Sequence, residues 1–402
     1  MPQPRPLRTF LCAMLALCLL LTTLPLPAAA ATDTPEIKLP RLGSVGSLSA
    51  QSAVLMDAAS GQVLYGKDEH LHLPMASTTK IMTALCAAEL GEMDRVIRIP
   101  AAAVGIEGSS VYLRTGEKLT LEQLLYALLL ASANDAAAAI AISLCGSIEK
   151  FADCMNEKAA ELGLKDTHFE NPHGLDSEQH YTTAHDLALI ARAALQHPTL
   201  RKIMATRSIT IPLDDAPSGR TLVNHNKMLR NYSGAIGVKT GFTKRSGRCL
   251  VSAAERDGLT LIAVTLHAPD DWNDHARLLD AGFAAFENVV LCEANGYKTT
   301  LPVTGGKEAY VVVNNGYAAS LTLPRQRGAM LCTVELARFL YADVARGEIV
   351  GTLVFRCDTD GNGTLEELCR VPIRTAYGVE KREGKTWIRK IKAWLTRSVI
   401  AT

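Results

Sequence analysis

Read by its apolar and polar positions, the chain begins with a leader. Arg5 and Arg8 precede an apolar run from Phe10 to Leu21 that continues to Leu26, and Ala28-Ala29-Ala30-Ala31 follows. That order predicts a signal peptide over residues 1–31, cut beside small residues and leaving an exported chain that starts near Ala31 or Thr32. Residues 32–287 then mix two periodicities. Ser52-Ala53-Val54-Leu55-Met56-Asp57 and Gln62-Val63-Leu64-Tyr65 predict a hairpin around Ala59-Ser60-Gly61, and residues 249–255 with 260–267 predict another around Asp257-Gly258. Thr120-Leu121-Glu122-Gln123 and Thr183-Ala184-His185-Asp186 have capping-box spacing at the heads of Leu/Ala-rich helices, and residues 272–286 read as a further helix. The pattern predicts an α+β unit, a central antiparallel sheet with helices around it.

Beyond residue 287 the pattern changes to short strand-like runs, such as Tyr310-Val311-Val312-Val313 and Ile349-Val350-Gly351-Thr352-Leu353-Val354-Phe355. Residues 288–378 are therefore expected to form a separate small all-β, sandwich-like domain. Residues 379–402 differ again. At 100° per residue, Trp387, Ile388, Ile391, Trp394, Leu395 and Val399 share one arc, while Arg389, Lys390, Lys392 and Arg397 face the other way. That predicts an amphipathic helix, with residues 385–400 lying on an anionic membrane surface. With the leader, it places the chain on the outer face of the cytoplasmic membrane, held there peripherally.

Composition adds limits. A chain of 402 residues with 48% hydrophobic content can build two or three domains with sizeable cores. Lys plus Arg number 42 against 41 Asp plus Glu, so no global field draws nucleic acid, and attraction to a surface must be local. Of ten cysteines, Cys12 and Cys18 belong to the leader. Cys86 and Cys145 sit in apolar helical runs and read as small core residues. Cys357 and Cys369 flank a turn and could pair. No two cysteines have a metal spacing. Asp358-Thr359-Asp360-Gly361-Asn362-Gly363 matches the start of a calcium loop, yet its twelfth position is Cys369 where a glutamate is needed. A Gly-rich hairpin turn is the favoured reading, and no metal is expected.

Chemistry enters with three short motifs in order: Ser77-Thr78-Thr79-Lys80, Ser132-Ala133-Asn134 and Lys239-Thr240-Gly241. Residues three apart in a helix share a face, so a helix opening at Ser77 sets Lys80 beside its hydroxyl. Serine needs such a base to act as a nucleophile, and lysine serves when burial or a second cation lowers its pKa. Ser77 N–H at the helix start would be half of an oxyanion hole, with Phe242 N–H as the other half. The second motif follows the apolar run Leu124 to Leu130 and falls on a tight interhelical turn. The third lies on a strand, where Gly241 would let a substrate backbone approach closely.

On these motifs, and on the stretches Asn171-Pro172-His173-Gly174-Leu175, Asn224-His225-Asn226 and Cys249-Leu250-Val251-Ser252-Ala253, the chain resembles the penicillin-binding D-alanyl-D-alanine carboxypeptidases of low molecular mass. The resemblance implies a β-lactamase/transpeptidase-like catalytic domain. It implies that Ser77 attacks the carbonyl of the penultimate D-alanine of a peptidoglycan stem peptide, with Lys80 as base, and that β-lactams inhibit by mimicking the peptide end. Ser132 would relay a proton to the leaving amine, and Asn134 would order Lys80 and the substrate amide. Lys239, Thr240 and Thr243 would hold the terminal carboxylate. No cofactor is called for.

The family often adds a basic residue near that carboxylate. His225 and Arg248 are the local candidates, His225 reading equally as a loop histidine satisfied by its asparagine neighbours and Arg248 as a solvated turn residue. Two rival readings share the motifs: a serine β-lactamase, and a penicillin or cell-wall sensor that does not turn over. The first needs a Glu-x-x-x-Asn loop, a spacing that neither Glu170 nor Glu178 has. The second requires a silent site although every catalytic side chain is present.

Overall fold

The computed structural model describes residues 39–213 and 219–383. The expected leader and the helix expected over 385–400 lie outside the described residues. Strands β1 (Ser52–Asp57) and β2 (Val63–Lys67) form the anticipated hairpin, its turn closed by the Asp57 carboxylate, which accepts from Ser60 N–H at 2.8 Å. A 3-10 turn, Ala76–Thr79, then runs straight into the helix Lys80–Leu90. The ribbon β3 (Val96–Arg98) and β4 (Lys118–Thr120) follows. Thr120 caps the helix Leu121–Leu130 with a complete capping box: its hydroxyl accepts from Gln123 N–H and the Gln123 side chain accepts from Thr120 N–H. Left-handed Gly146 ends the helix Asn134–Cys145, and Ser147 caps the next, Ile148–Glu161.

The helix Ala184–Gln196 is capped by Thr183, which accepts from Asp186 N–H. Asp186 does not complete a box, because its Oδ2 accepts from Asp166 N–H and from the Thr167 hydroxyl. After the helix Pro198–Ala205 come the ribbon β5 (Ser208–Ile211) and β6 (Arg220–Val223), a short helix Met228–Asn231, then β7 (Ala235–Thr243), β8 (Gly247–Arg256), β9 (Leu259–Leu266) and the helix Asp271–Ala285.

The main sheet has the order β2-β1-β9-β8-β7, antiparallel throughout. Side-chain alternation decides what covers it. Val54, Met56, Val251 and Ala253 point into one core with the Leu/Ala helices, whereas Ala53, Leu55, Leu250, Ala254, Leu261 and Ala263 point into another with Leu278, Leu279 and Phe283. Both faces are dry, which is why these strands read as almost continuous apolar runs. Among the helices, Ala136 to Ala139 are wholly buried, and their small side chains let the Asn134–Cys145 backbone pack close to its neighbours.

From Phe286 onward the described residues carry strands and no helix: β10 (Phe286–Cys292), β11 (Lys298–Thr304), β12 (Tyr310–Asn314), β13 (Ala319–Pro324), β14 (Met330–Leu336), β15 (Leu340–Tyr341), β16 (Ile349–Cys357) and β17 (Glu366–Thr375). β10 pairs with β13, and the others form a six-stranded sheet of order β14-β16-β17-β12-β11-β15. This part is fastened to the main sheet by a buried bond from the Thr322 hydroxyl to Asp57 at 2.9 Å, and to the end of the helix Asp271–Ala285 by Arg325, which donates to the Phe283 and Ala285 carbonyls.

Two expectations change here. Val379 bridges to Val344 and Lys381 to Gly306, so residues 379–383 complete the β part and do not start a helix. Cys357 and Cys369 are not partners either: strand register sets Cys369 opposite Phe355 and Cys357 opposite Glu366, and both thiols are free. The acidic stretch 358–363 connects β16 to β17 as the favoured hairpin turn.

Leu128 is wholly buried among these helices. Leu128→Ala is expected to lower stability by about 2–5 kcal/mol, measured as a fall in the urea midpoint at unchanged m-value.

Candidate active site

The three motifs converge on one cavity of about 360 Å³, lined by Ser77, Ser132, Thr240, Gly241 and Phe242 among others. Ser77 lies in the 3-10 turn and Lys80 begins the α-helix, and the spacing sets Lys80 Nζ 2.9 Å from Ser77 Oγ. Lys80 is fully buried and also donates to the His173 carbonyl. Burial, and secondarily the charge of Lys239, hold its pKa well below the usual lysine range, with Asp135 opposing. A neutral amine beside the hydroxyl has a lone pair to receive its proton.

The turn that bears Ser77 is braced from behind. His180 is kept neutral by burial, its pKa pushed down to about 4, and its Nδ1 accepts from Glu170 N–H. The remaining ring proton is therefore on Nε2, which donates to Thr79 Oγ1 at 2.8 Å, and Thr79 donates in turn to the Ala76 carbonyl. Ala76 itself has φ +47°, an uncommon conformation for a residue with a Cβ. Gly174, at φ +83°, packs on it so tightly that a Cβ there would fall 2.0 Å from Ala76 O.

Ser132 sits on the turn between the helices Leu121–Leu130 and Asn134–Cys145, at φ +60°. Its neighbour Asn134 does not reach Lys80 as expected. Asn134 Nδ2 donates to the Glu107 carbonyl, and its buried Oδ1 has no hydrogen-bond partner among the described residues. Asp135 ties the same loop down, accepting from the Ser110 hydroxyl at 2.6 Å and from Leu113 N–H at 3.0 Å.

On β7, Lys239 is buried with its pKa pushed down to about 7, and its Nζ donates to the Thr240 carbonyl. Gly241 serves a closer neighbour than a substrate: a Cβ there would be 3.1 Å from Met75 O, Ser77 N and Thr78 N, so it is the nucleophile's own turn that presses on the strand. Phe242, on the same strand, is exposed at the cavity wall. Among the described residues no cluster of His, Cys, Asp or Glu is arranged to hold a metal ion.

A family model described as D-alanyl-D-alanine carboxypeptidase matches residues 40–270. The chain belongs to this family. It is 31% identical to D-alanyl-D-alanine carboxypeptidase DacF of Bacillus subtilis over 85% of the chain and 88% of that protein. It is 32% identical to DacC of Escherichia coli over 77% and 80%. Its fold is similar to the crystal structure of penicillin binding protein 5 from Haemophilus influenzae, with a TM-score of 0.65 at 26% identity, covering 83% of this chain and 98% of that one.

In this D-alanyl-D-alanine carboxypeptidase family member, two expected carboxylate-site residues behave differently. Thr243 does not line the cavity; its hydroxyl donates to Asp176 at 2.9 Å and accepts from Ser246 N–H. Arg248 is not a solvated turn residue. It faces the cavity from β8, bonded through Nε and a terminal nitrogen to Asp271 at 3.0 and 2.7 Å, with its guanidinium over the Trp272 ring. His225 also lines the cavity, and its asparagine neighbours are engaged elsewhere, Asn224 with Met204 and Thr206 and Asn226 with Met228. Burial, then the nearby Lys239, keeps the His225 pKa below its usual value. The sequence offered no local signal for the His173 carbonyl, His180 or Asp271, although His173 and Gly174 fall within a stretch that carried the resemblance.

Gly174→Ala is expected to displace the Ser77 turn and abolish acylation by a fluorescent penicillin, with circular dichroism showing whether the fold persists. Lys239 supplies a linkage test. Its folded pKa of about 7 lies below the unfolded value of about 10.4, so the unfolded chain binds more protons between them. The wild type should therefore gain stability relative to Lys239→Met as pH rises from 7.5 to 9.5, read from urea unfolding; a gap independent of pH would contradict the depressed pKa.

Proposed function

We propose that the chain removes the terminal D-alanine from peptidoglycan stem peptides through an acyl-enzyme on Ser77, and that β-lactams acylate the same oxygen. The observation that carries this reading is the Ser77 hydroxyl 2.9 Å from the amine of a fully buried Lys80. Lys80 takes the hydroxyl proton as Oγ attacks the carbonyl carbon of the penultimate D-alanine. Ser132 hands a proton to the departing D-alanine amine, and water then releases the acyl group. Ser77 N–H and Phe242 N–H are assigned to the developing oxyanion. For the substrate carboxylate the reading favours Arg248, which faces the cavity beside Trp272, over Lys239, which is buried, keeps its proton only part of the time near pH 7 and turns its amine to the Thr240 carbonyl.

Around this chemistry we place the remaining sequence readings: export directed by residues 1–31, a catalytic unit over 32–287, a β domain over 288–378 that holds it off a surface, and membrane contact through 385–400. The chain ending at Glu383 keeps the Lys381 bridge to Gly306 and should remain in the supernatant when the full chain sediments with anionic vesicles. Sedimentation of both would remove the C-terminal contact.

The activity test is D-alanine release from a peptide ending in D-alanyl-D-alanine. Release should vanish in Ser77→Ala and fall as pH is lowered and Lys80 gains its proton. Arg248→Ala should raise KM about 10- to 100-fold with a smaller change in kcat, the loss expected for one charge-assisted hydrogen bond. Absence of release while penicillin still acylates Ser77 would overturn the turnover reading.

A further inference from the structure

Cys145 Sγ and Cys154 Sγ lie 3.5 Å apart. Cys145 is the last residue of the helix Asn134–Cys145, and Cys154 is on the second turn of Ile148–Glu161. The left-handed Gly146 and the capping Ser147 fold the second helix back so that the thiols meet at a half-buried corner, with side-chain access to solvent. We propose that Cys145 and Cys154 are a disulfide site, closed by exchange with an external disulfide such as oxidised glutathione.

The step balances. A Cys154 thiolate attacks the external disulfide, forming a mixed disulfide and releasing one thiol. Cys145 loses its proton and displaces the second thiol, so two protein thiols give up two electrons and two protons in forming one S–S bond. The sulfurs need to approach from 3.5 Å to about 2.05 Å, a movement that small side-chain rotations at two helix positions supply. The proposal rests on this geometry alone and not on the assigned activity.

The other thiols near this corner and elsewhere are less suited. Cys86 belongs to the same corner but is buried, and burial pushes its thiol up to about 12, which keeps the reactive thiolate scarce. Cys145 is itself raised to about 11, by burial first and then by its bond with Cys154. Cys249 is wholly buried, and Cys357 and Cys369 are out of register with each other.

Asn134 and Cys145 are at opposite ends of one 12-residue helix. At 1.5 Å per residue the cross-link is about 16 Å along the helix from the active-site end. It should therefore raise thermal stability by a few degrees, as closing a short loop does, and leave turnover unchanged.

The test uses the full chain, equilibrated with a glutathione redox mixture, alkylated, and cut with trypsin without reduction. Cleavage after Lys118, Lys150 and Lys158 gives peptides 119–150 and 151–158, each with a single cysteine. The expected product is these two peptides joined, lost on adding reductant and absent in Cys154→Ser. The oxidised wild type should melt a few degrees above the reduced form, a difference missing in Cys145→Ser. Recovery of both peptides separately, as alkylated or glutathione-bearing species, overturns the proposal. So does Cys145 or Cys154 joined to another cysteine.

Discussion

The burial of Lys80 governs the rest of this site. Removing an ammonium from water is costly unless the group gives up its proton, and here the group is enclosed at the head of a helix with Lys239 buried nearby. The charge of Lys239 adds to burial in disfavouring the Lys80 ammonium, so the pocket favours an amine there. The walls serve that end. The 171–175 segment offers a carbonyl to Lys80, the loop before Leu113 is tied to Asp135, and the Leu/Ala helices exclude water from below.

A second constraint is proximity. The nucleophile's turn is gripped between two glycines, Gly174 on one side and Gly241 on the other, each at a spacing a side chain would disturb. Strain at Ala76 and Ser132 is sustained because the neighbours over-determine both positions: Gly174 and the Thr79–His180 relay at the first, two apolar helices at the second. Helix ends and the edge strand β7 hold the reacting atoms, while the loops add the carbonyls and carboxylates that tune them.

Much of this was legible in the sequence, for local reasons. Ser77 and Lys80 meet because of helical periodicity, Thr120 caps through residues within its own turn, and the hairpins announce themselves by Ala59-Ser60-Gly61 and Asp257-Gly258. What stayed hidden depends on partners far along the chain. Thr243 is claimed by Asp176, 67 residues away, and Arg248 is held by Asp271, 23 residues on. No window of sequence shows which of two hydroxyls or two cations has already been engaged. Gly241 was read correctly as a point of close approach, but the approaching backbone belongs to the enzyme. The bond from Asn134 to the Glu107 carbonyl was equally hidden, because Glu107 comes from a loop with no pattern of its own.

The passage from the helix Asp271–Ala285 to β10 occurs at Phe286 with no residue between them, and Thr322, Arg325 and Asp57 clasp the two parts across that seam. Such a joint behaves as a bracket and not as a tether. Given the proposed surface contact at the far end of the strand-rich part, the mouth of the cleft would be held at one height and one angle. The population of polymer ends within reach is then a thin layer set by molecular dimensions, and lengthening or shortening that bracket would change which ends are trimmed without altering a single reacting atom.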